Sequence, residues 1–142
     1  MADNAASAIR SALDTALSAV TQVKSVESGK TSDFAGFPAV RYFLSGIENN
    51  QEDTNSDYRT YQYTVDIITP VSSNGVSVAT WEADLQDAID AVMDKLGAEW
   101  TLSGNADNVT MQPSPVRVEE FPFGPANVLT LTVNVRTLIA LS

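Results

Sequence analysis

Eighteen carboxylates and eight basic side chains, with no histidine and no cysteine, set the limits of what this 142-residue chain can do chemically. Without imidazole it lacks the one side chain whose unperturbed titration falls near neutral pH, and the commonest transition-metal ligand. Without thiols it has neither a disulfide framework nor a thiolate metal site. Paired carboxylates can in principle do general acid and base work, but eighteen of them in one small chain guarantee chance pairs, and nothing marks one pair as buried. Serine–lysine nucleophile pairs have no better support. The chain therefore reads as a protein that is not an enzyme, with no cofactor and no metal.

Three patterns are the remaining candidates for a ligand site. Gly29-Lys30-Thr31 echoes the end of a phosphate-binding loop, but Lys24 stands where that motif needs its first glycine, and the triplet follows a helical pattern instead of a strand. Asp53-Thr54-Asn55-Ser56-Asp57 resembles the first half of a calcium loop. It fails at Tyr58, where the loop needs a turning glycine, and at Thr64, where it needs a bidentate glutamate. A solvated acidic loop is the plainer reading. Asp87, Asp90 and Asp94 fall at helical spacing on one face, where like charges repel by a few tenths of a kcal/mol per pair. They read either as a solvated helix face or as a wall that repels a polyanion such as DNA sliding past.

The net charge of −10 is not offset by any basic cluster, since Arg10, Lys24, Lys30, Arg41, Arg59, Lys95, Arg117 and Arg136 are scattered. Tight binding of nucleic acid through its phosphates needs such a cluster, so neither DNA nor an anionic membrane is an expected binding partner. Residues 1–20 lack the basic start of a signal peptide, and no apolar run approaches a membrane span. The expected origin is cytosolic, which makes Asn108-Val109-Thr110 a chance glycosylation match.

The elements that must position these residues follow from hydrophobic period. Ile9, Leu13, Leu17 and Val20 make one helical stripe between Asp3 and Val26, with Asp3 or Asn4 as cap and Gly29 beyond its end. Residues 37–44 predict a first strand, residues 45–57 a long polar loop, and residues 58–68 a second strand in which Tyr61, Tyr63, Val65 and Ile67 alternate with polar residues. Thr80 is placed to cap a second helix with Trp81, Leu85, Ala88, Ile89, Val92 and Leu96 on its inner face and Gly97 as its stop. Residues 108–112 and 116–119 predict one interrupted strand or two short ones on an edge. Phe121 to Pro125 turns the chain into a last strand over 128–141. The expectation is a single α+β domain over 1–142, in αββαββ order, with one mostly antiparallel, mixed sheet and two helices packed on one face.

Two segments stand out as contact candidates. Phe121 and Phe123 sit among prolines and a glycine that would present them at the end of the sheet, either folded over the core or docked on a partner. The 45–57 segment is long for a hairpin connection, and such loops are often functional.

The order of elements and several runs resemble the tail terminator, or tail completion, proteins of long-tailed bacteriophages, a family that in siphophages includes the minor tail protein capping the tube. The resemblance rests on the amphipathic N-terminal helix, FPAV at 37–40, TYQYTVDI at 60–67 after a polar loop, TWEADLQDAIDAV at 80–92 and LTLTVNV at 129–135. It spans nearly the whole chain and brings no catalytic or ligand motif. It implies a homo-oligomeric ring, usually a hexamer, that ends tail-tube growth and offers the head-tail joining surface to a connector. Tail tube protein and neck protein are then the partners, the virion tail is the location after assembly in the host cytoplasm, and DNA crosses the lumen without specific binding. On that resemblance Ile47, Glu48, Glu52, Asp53, Asp57, Phe121 and Phe123 are interface candidates, and Asp87, Asp90 and Asp94 face the lumen. A connector or neck subunit of the same machinery shares the same features. From another class, a small monomeric peptide- or ligand-binding domain stays open.

Overall fold

The computed structural model describes residues 5–51, 56–72, 75–98 and 108–140. Along the chain run α1 (Ala5–Ser18), β1 (Ser25–Ser28), β2 (Ala39–Gln51), β3 (Ser56–Pro70), α2 (Val78–Ala98), β4 (Asn108–Pro113), β5 (Arg117–Phe121) and β6 (Gly124–Ala140). The strands form one six-stranded mixed sheet in the order β1-β2-β3-β6-β4, with β5 also on β6. Only β1–β2 is parallel among these pairs; the others are antiparallel. The class is α+β.

Alternation in the strands decides which side chains meet the helices. Tyr61, Tyr63, Val65 and Ile67 of β3 and Leu129, Leu131, Val133 and Val135 of β6 share one cluster with Ile9, Leu13 and Leu17 of α1 and Leu85, Ala88, Val92 and Leu96 of α2. Each set recurs at the period of its own element, two in the strands and three or four in the helices, so burial on both sides needs no exception to the pattern. Two tyrosines also tie α1 to the sheet. The Tyr42 hydroxyl donates to Asp14 Oδ1 at 2.8 Å, and that of Tyr63 to the carbonyl of Ala6 at 3.3 Å.

Four local expectations are corrected. The N-terminal helix stops at Ser18, and residues 25–28 leave the helical path to pair with 39–42 as β1, held at its entry by the Lys24 amide donating to the Pro38 carbonyl at 2.8 Å. The expected cap at Asp3 or Asn4 lies outside the described residues. Ser77, and not Thr80, caps α2: its Oγ accepts the Thr80 amide at 3.1 Å, and the helix runs through Gly97 to Ala98. The polar segment 45–51 is not loop but the outer half of β2, with Gly46 to Gln51 paired residue by residue with Gln62 to Asp57 and Ser45 as a bulge. Its Asn, Glu and Gln side chains are poor signals of a strand. The order is thus αβββαβββ, with β1 added and residues 108–121 forming two strands.

The antiparallel β2–β3 and β3–β6 ladders outrun the helices. At ~3.4 Å per residue, β3 with its 15 residues is roughly 50 Å long. At ~1.5 Å per residue, α1 with 14 and α2 with 21 residues reach roughly 20 and 30 Å. One end of the sheet therefore extends as a β2–β3–β6 arm past the helix-covered core.

The tyrosine ties predict an alkaline signature. Burial first, and the bond to Asp14 second, push the Tyr42 hydroxyl up to about 12 from an ordinary 10. The unfolded chain then loses this proton before the folded one, so stability is whole below pH 10 and falls as pH rises from 10 towards 12. Tyr42→Phe flattens that fall in urea titrations across this range; an unchanged slope would remove Tyr42 as its source.

Candidate assembly surface

The face of the sheet opposite the main cluster carries a charge network that sequence reading missed. Arg41 on β2 and Asp66 on β3 stand directly opposite each other, and Arg41 Nε lies 2.8 Å from Asp66 Oδ2. The same guanidinium reaches the Thr31 carbonyl at 2.9 Å and Glu119 Oε2 on β5 at 3.3 Å. Asp66 Oδ1 accepts the Thr130 hydroxyl of β6, which in turn accepts Arg117 Nη1 at 2.7 Å, and Arg117 Nη2 closes on Glu119 Oε1 at 3.1 Å. Two cations and two anions on β2, β3 and β5 are thus linked, with Thr130 of β6 between Asp66 and Arg117, and Asp66 is buried. A planar guanidinium with five donors is the side chain that can serve three acceptors at once.

Beside this network lies an aromatic end. Phe34, Phe37, Phe121, Phe123 and Trp81 meet ring to ring, with centroids 5.0 Å apart for Phe37–Phe123 and 6.3 Å for Phe37–Trp81. Arg41 also sits over the Phe121 ring at 5.2 Å. The tight turn at Pro122-Phe123 puts Phe121 opposite Gly124, whose φ of 124° is the left-handed conformation that favours glycine. Phe121 is 7% exposed and belongs to the smaller cluster with Ile68, Ala126 and Val128. Phe123 stacks on it at 5.2 Å and keeps 43% of its surface open.

The other expected contact residues fall into separate places. Ile47 and Glu48 lie on the outer half of β2, both exposed, and Ile47 keeps 57% of its surface in the open. Asp57 stands at the start of β3, opposite Gln51 and Ile139, while Glu52 and Asp53 lie outside the described residues. Asp87, Asp90 and Asp94 are exposed along α2, which carries five carboxylates, with Glu82 and Asp84, against Lys95 alone. The structure thus separates three surfaces: the arm, the aromatic end and an acidic helix. No group of His, Cys, Asp or Glu able to hold a metal occurs among the described residues, and no helix among them is long and apolar enough to cross a membrane.

No protein-family model and no curated protein matches the chain. Among solved structures, a chain of the virion of a native gene transfer agent particle shares the fold at a TM-score of 0.52 and 14% identity. The match covers 95% of this chain and 92% of that one. At this identity the likeness speaks for the fold.

The Arg41–Asp66 network yields a stability prediction. Arg41 keeps Glu119 and the Thr31 carbonyl when Asp66 is removed, so the loss is that of charge-assisted hydrogen bonds and not of a whole buried pair. Asp66→Ala is expected to lower the free energy of urea unfolding by about 1 to 3 kcal/mol, and Asp66→Ala with Arg41→Met by less than the sum of the single changes. Additive losses would show that the two side chains act independently.

Proposed function

We propose that this protein is a structural component of a phage-like virion, and more specifically a tail terminator. In this reading, copies of the chain form a ring, six in number, that caps the tail tube, halts its polymerisation and presents a surface for joining the head. The chain acts through contacts and not through turnover, as one domain with both helices on one face of the sheet. The observation that carries the reading is the near end-to-end structural likeness to a chain of a gene transfer agent virion. The sequence pattern described above and the projecting arm support it. A ring subunit must offer contact surfaces in several directions, and the arm, Phe123 and the acidic α2 face three of them.

Charge distribution suits that role. The Arg41, Asp66, Glu119 and Arg117 groups neutralise one another on the sheet, whereas α2 holds an unbalanced row of carboxylates. We assign that row to the lumen, where a like-charged wall lets DNA pass without sticking. The arm and Phe123 contact the tube and the neck, with Phe121 supporting Phe123 from below. Assembly takes place in the host cytoplasm and ends in the virion tail.

Electron microscopy of purified tail tubes mixed with the protein tests the assignment. A ring added only at tube ends is the expected image. Attachment to the neck but not to tubes would move the protein to the connector, and binding to neither would end the virion reading. For the lumen, particles carrying Asp87→Asn, Asp90→Asn and Asp94→Asn together are expected to eject DNA more slowly than wild type. Ejection at the normal rate would remove α2 from the channel wall.

A further inference from the structure

Two exposed apolar patches lie too far apart on the chain to cover each other. The first is Leu44 and Ile47 on β2, 42% and 57% exposed. Three residues apart, they would point to opposite faces of a regular strand. The register shift between Leu44 and Gly46 changes that: Leu44 stands opposite Tyr63 and Ile47 opposite Tyr61, so both point to the face of those buried tyrosines. Ser45, the extra residue, is pinned by its hydroxyl donating to the Gln62 carbonyl at 3.0 Å. The bulge thus builds a two-residue aliphatic knob on β2, exposed beside the buried Tyr61 and Tyr63.

The second patch is a groove of about 260 Å³ between α2 and the β4–β5 connection, lined by Leu85, Ile89 and Val116 with Glu82, Gln86 and Asn127. Val118 continues it along β5, opposite Asn127. Val116 and Val118 are 50% and 64% exposed. A dry cavity of about 150 Å³ holds a benzene, so this groove has room for branched aliphatic side chains. Since β3 occupies the other edge of β6, β5 lies on the side away from β2. Knob and groove are therefore separated by β3 and β6 across the sheet, and by roughly 20 Å along it at ~3.4 Å per residue.

Their surrounding charges are opposite. Arg59 lies beside the knob, opposite Asn49 and two residues from Tyr61 on the same face of β3. Arg10 of α1 lines a surface pocket with Tyr42 and with Asp14, which the Tyr42 hydroxyl engages. The groove is rimmed by Glu82, and Glu120 follows two residues after Val118. In a chain of net charge −10, few surfaces let a second copy approach without repulsion, and basic flank against acidic rim is such a pairing.

Resting on the reading of the chain as an assembling subunit, we infer that the Leu44–Ile47 knob of one copy seats in the Leu85–Ile89–Val116–Val118 groove of the next. Such a contact is heterologous: each copy gives one patch and receives the other, which closes a ring or extends a filament and does not stop at a dimer.

Two variants test this by complementation. Ile47→Asp destroys the knob and leaves the groove; Val118→Asp does the reverse. Both positions are exposed, so circular dichroism and thermal unfolding are expected to match wild type. In sedimentation velocity over a concentration series, wild type is expected to form species larger than dimers, and each variant alone to associate on the order of 100-fold more weakly. An equimolar mixture of the two variants is expected to give heterodimers and nothing larger, because the one intact knob and the one intact groove are then used up. Assembly of either variant like wild type, a mixture that stays monomeric while wild type assembles, or a wild type that is monomeric at every concentration overturns the contact. Capping of tail tubes by the same variants separates this from the broader reading: capping that survives both substitutions leaves the virion role standing and removes only the knob and groove.

Discussion

The β3–β6 pairing is the constraint on which the rest depends. Its fifteen matched residues, from Ser56 with Ala140 to Pro70 with Ala126, fix in one register which side chains enter the core, which meet on the opposite face and how far the sheet projects. A slip of β3 by one residue would turn Tyr63 and Val65 outward and bring Asp66 into the apolar layer. The register is therefore held from both sides. Apolar burial favours it on one face, and the Arg41–Asp66–Thr130 contacts favour it on the other.

Burial and exposure divide across the sheet as well as along it. The odd-numbered residues of β3 from Tyr61 to Ile67 and of β6 from Leu129 to Val135 are covered. On β2 beyond Tyr42 no described strand flanks the outer edge, and Leu44 and Ile47 are exposed although they face the same way as the buried Tyr63 and Tyr61. Single exposed aliphatic side chains are ordinary on protein surfaces, so Ile47 weighs in the proposed assembly only together with Leu44 beside it. The fold by itself does not choose the function; the uncovered length and the uneven charge supply the argument.

Much of this was legible in the amino-acid sequence, where local pattern and final environment agree. The alternation at 58–68 and 128–141, the helical stripe of α2 and the edge strands around Pro113-Ser114-Pro115 needed only period and turn chemistry. What stayed hidden depends on partners distant in sequence. β1 is four residues, Ser25–Ser28, with no pattern of its own, and it becomes a strand because Ala39 to Tyr42 lies beside it. Residues 45–51 read as loop because Gly, Asn and Gln disfavour strands, but pairing with β3 overrides that preference. Arg41 and Asp66, twenty-five residues apart, carry no local signal of their pairing, which only the hairpin register creates by placing them opposite one another. Of the contact candidates, Ile47 and Phe123 could be found from apolar side chains in polar or proline-rich surroundings. Val116 and Val118 could not, since an exposed valine on an edge strand looks like any strand residue.

Hydrogen exchange on the free chain and on the same chain bound to tail tubes addresses the central claim most directly. Among the described residues, no strand pairs with the outer edge of β2 beyond Tyr42, so its outward-pointing amides, about every second one from residue 43 to 51, are expected to exchange faster than those of β3 and the matched part of β6 in the free protein. On assembly, the account predicts that these amides slow markedly while the already protected centre of β3 changes little. Binding to tubes with no gain of protection along the arm would contradict it.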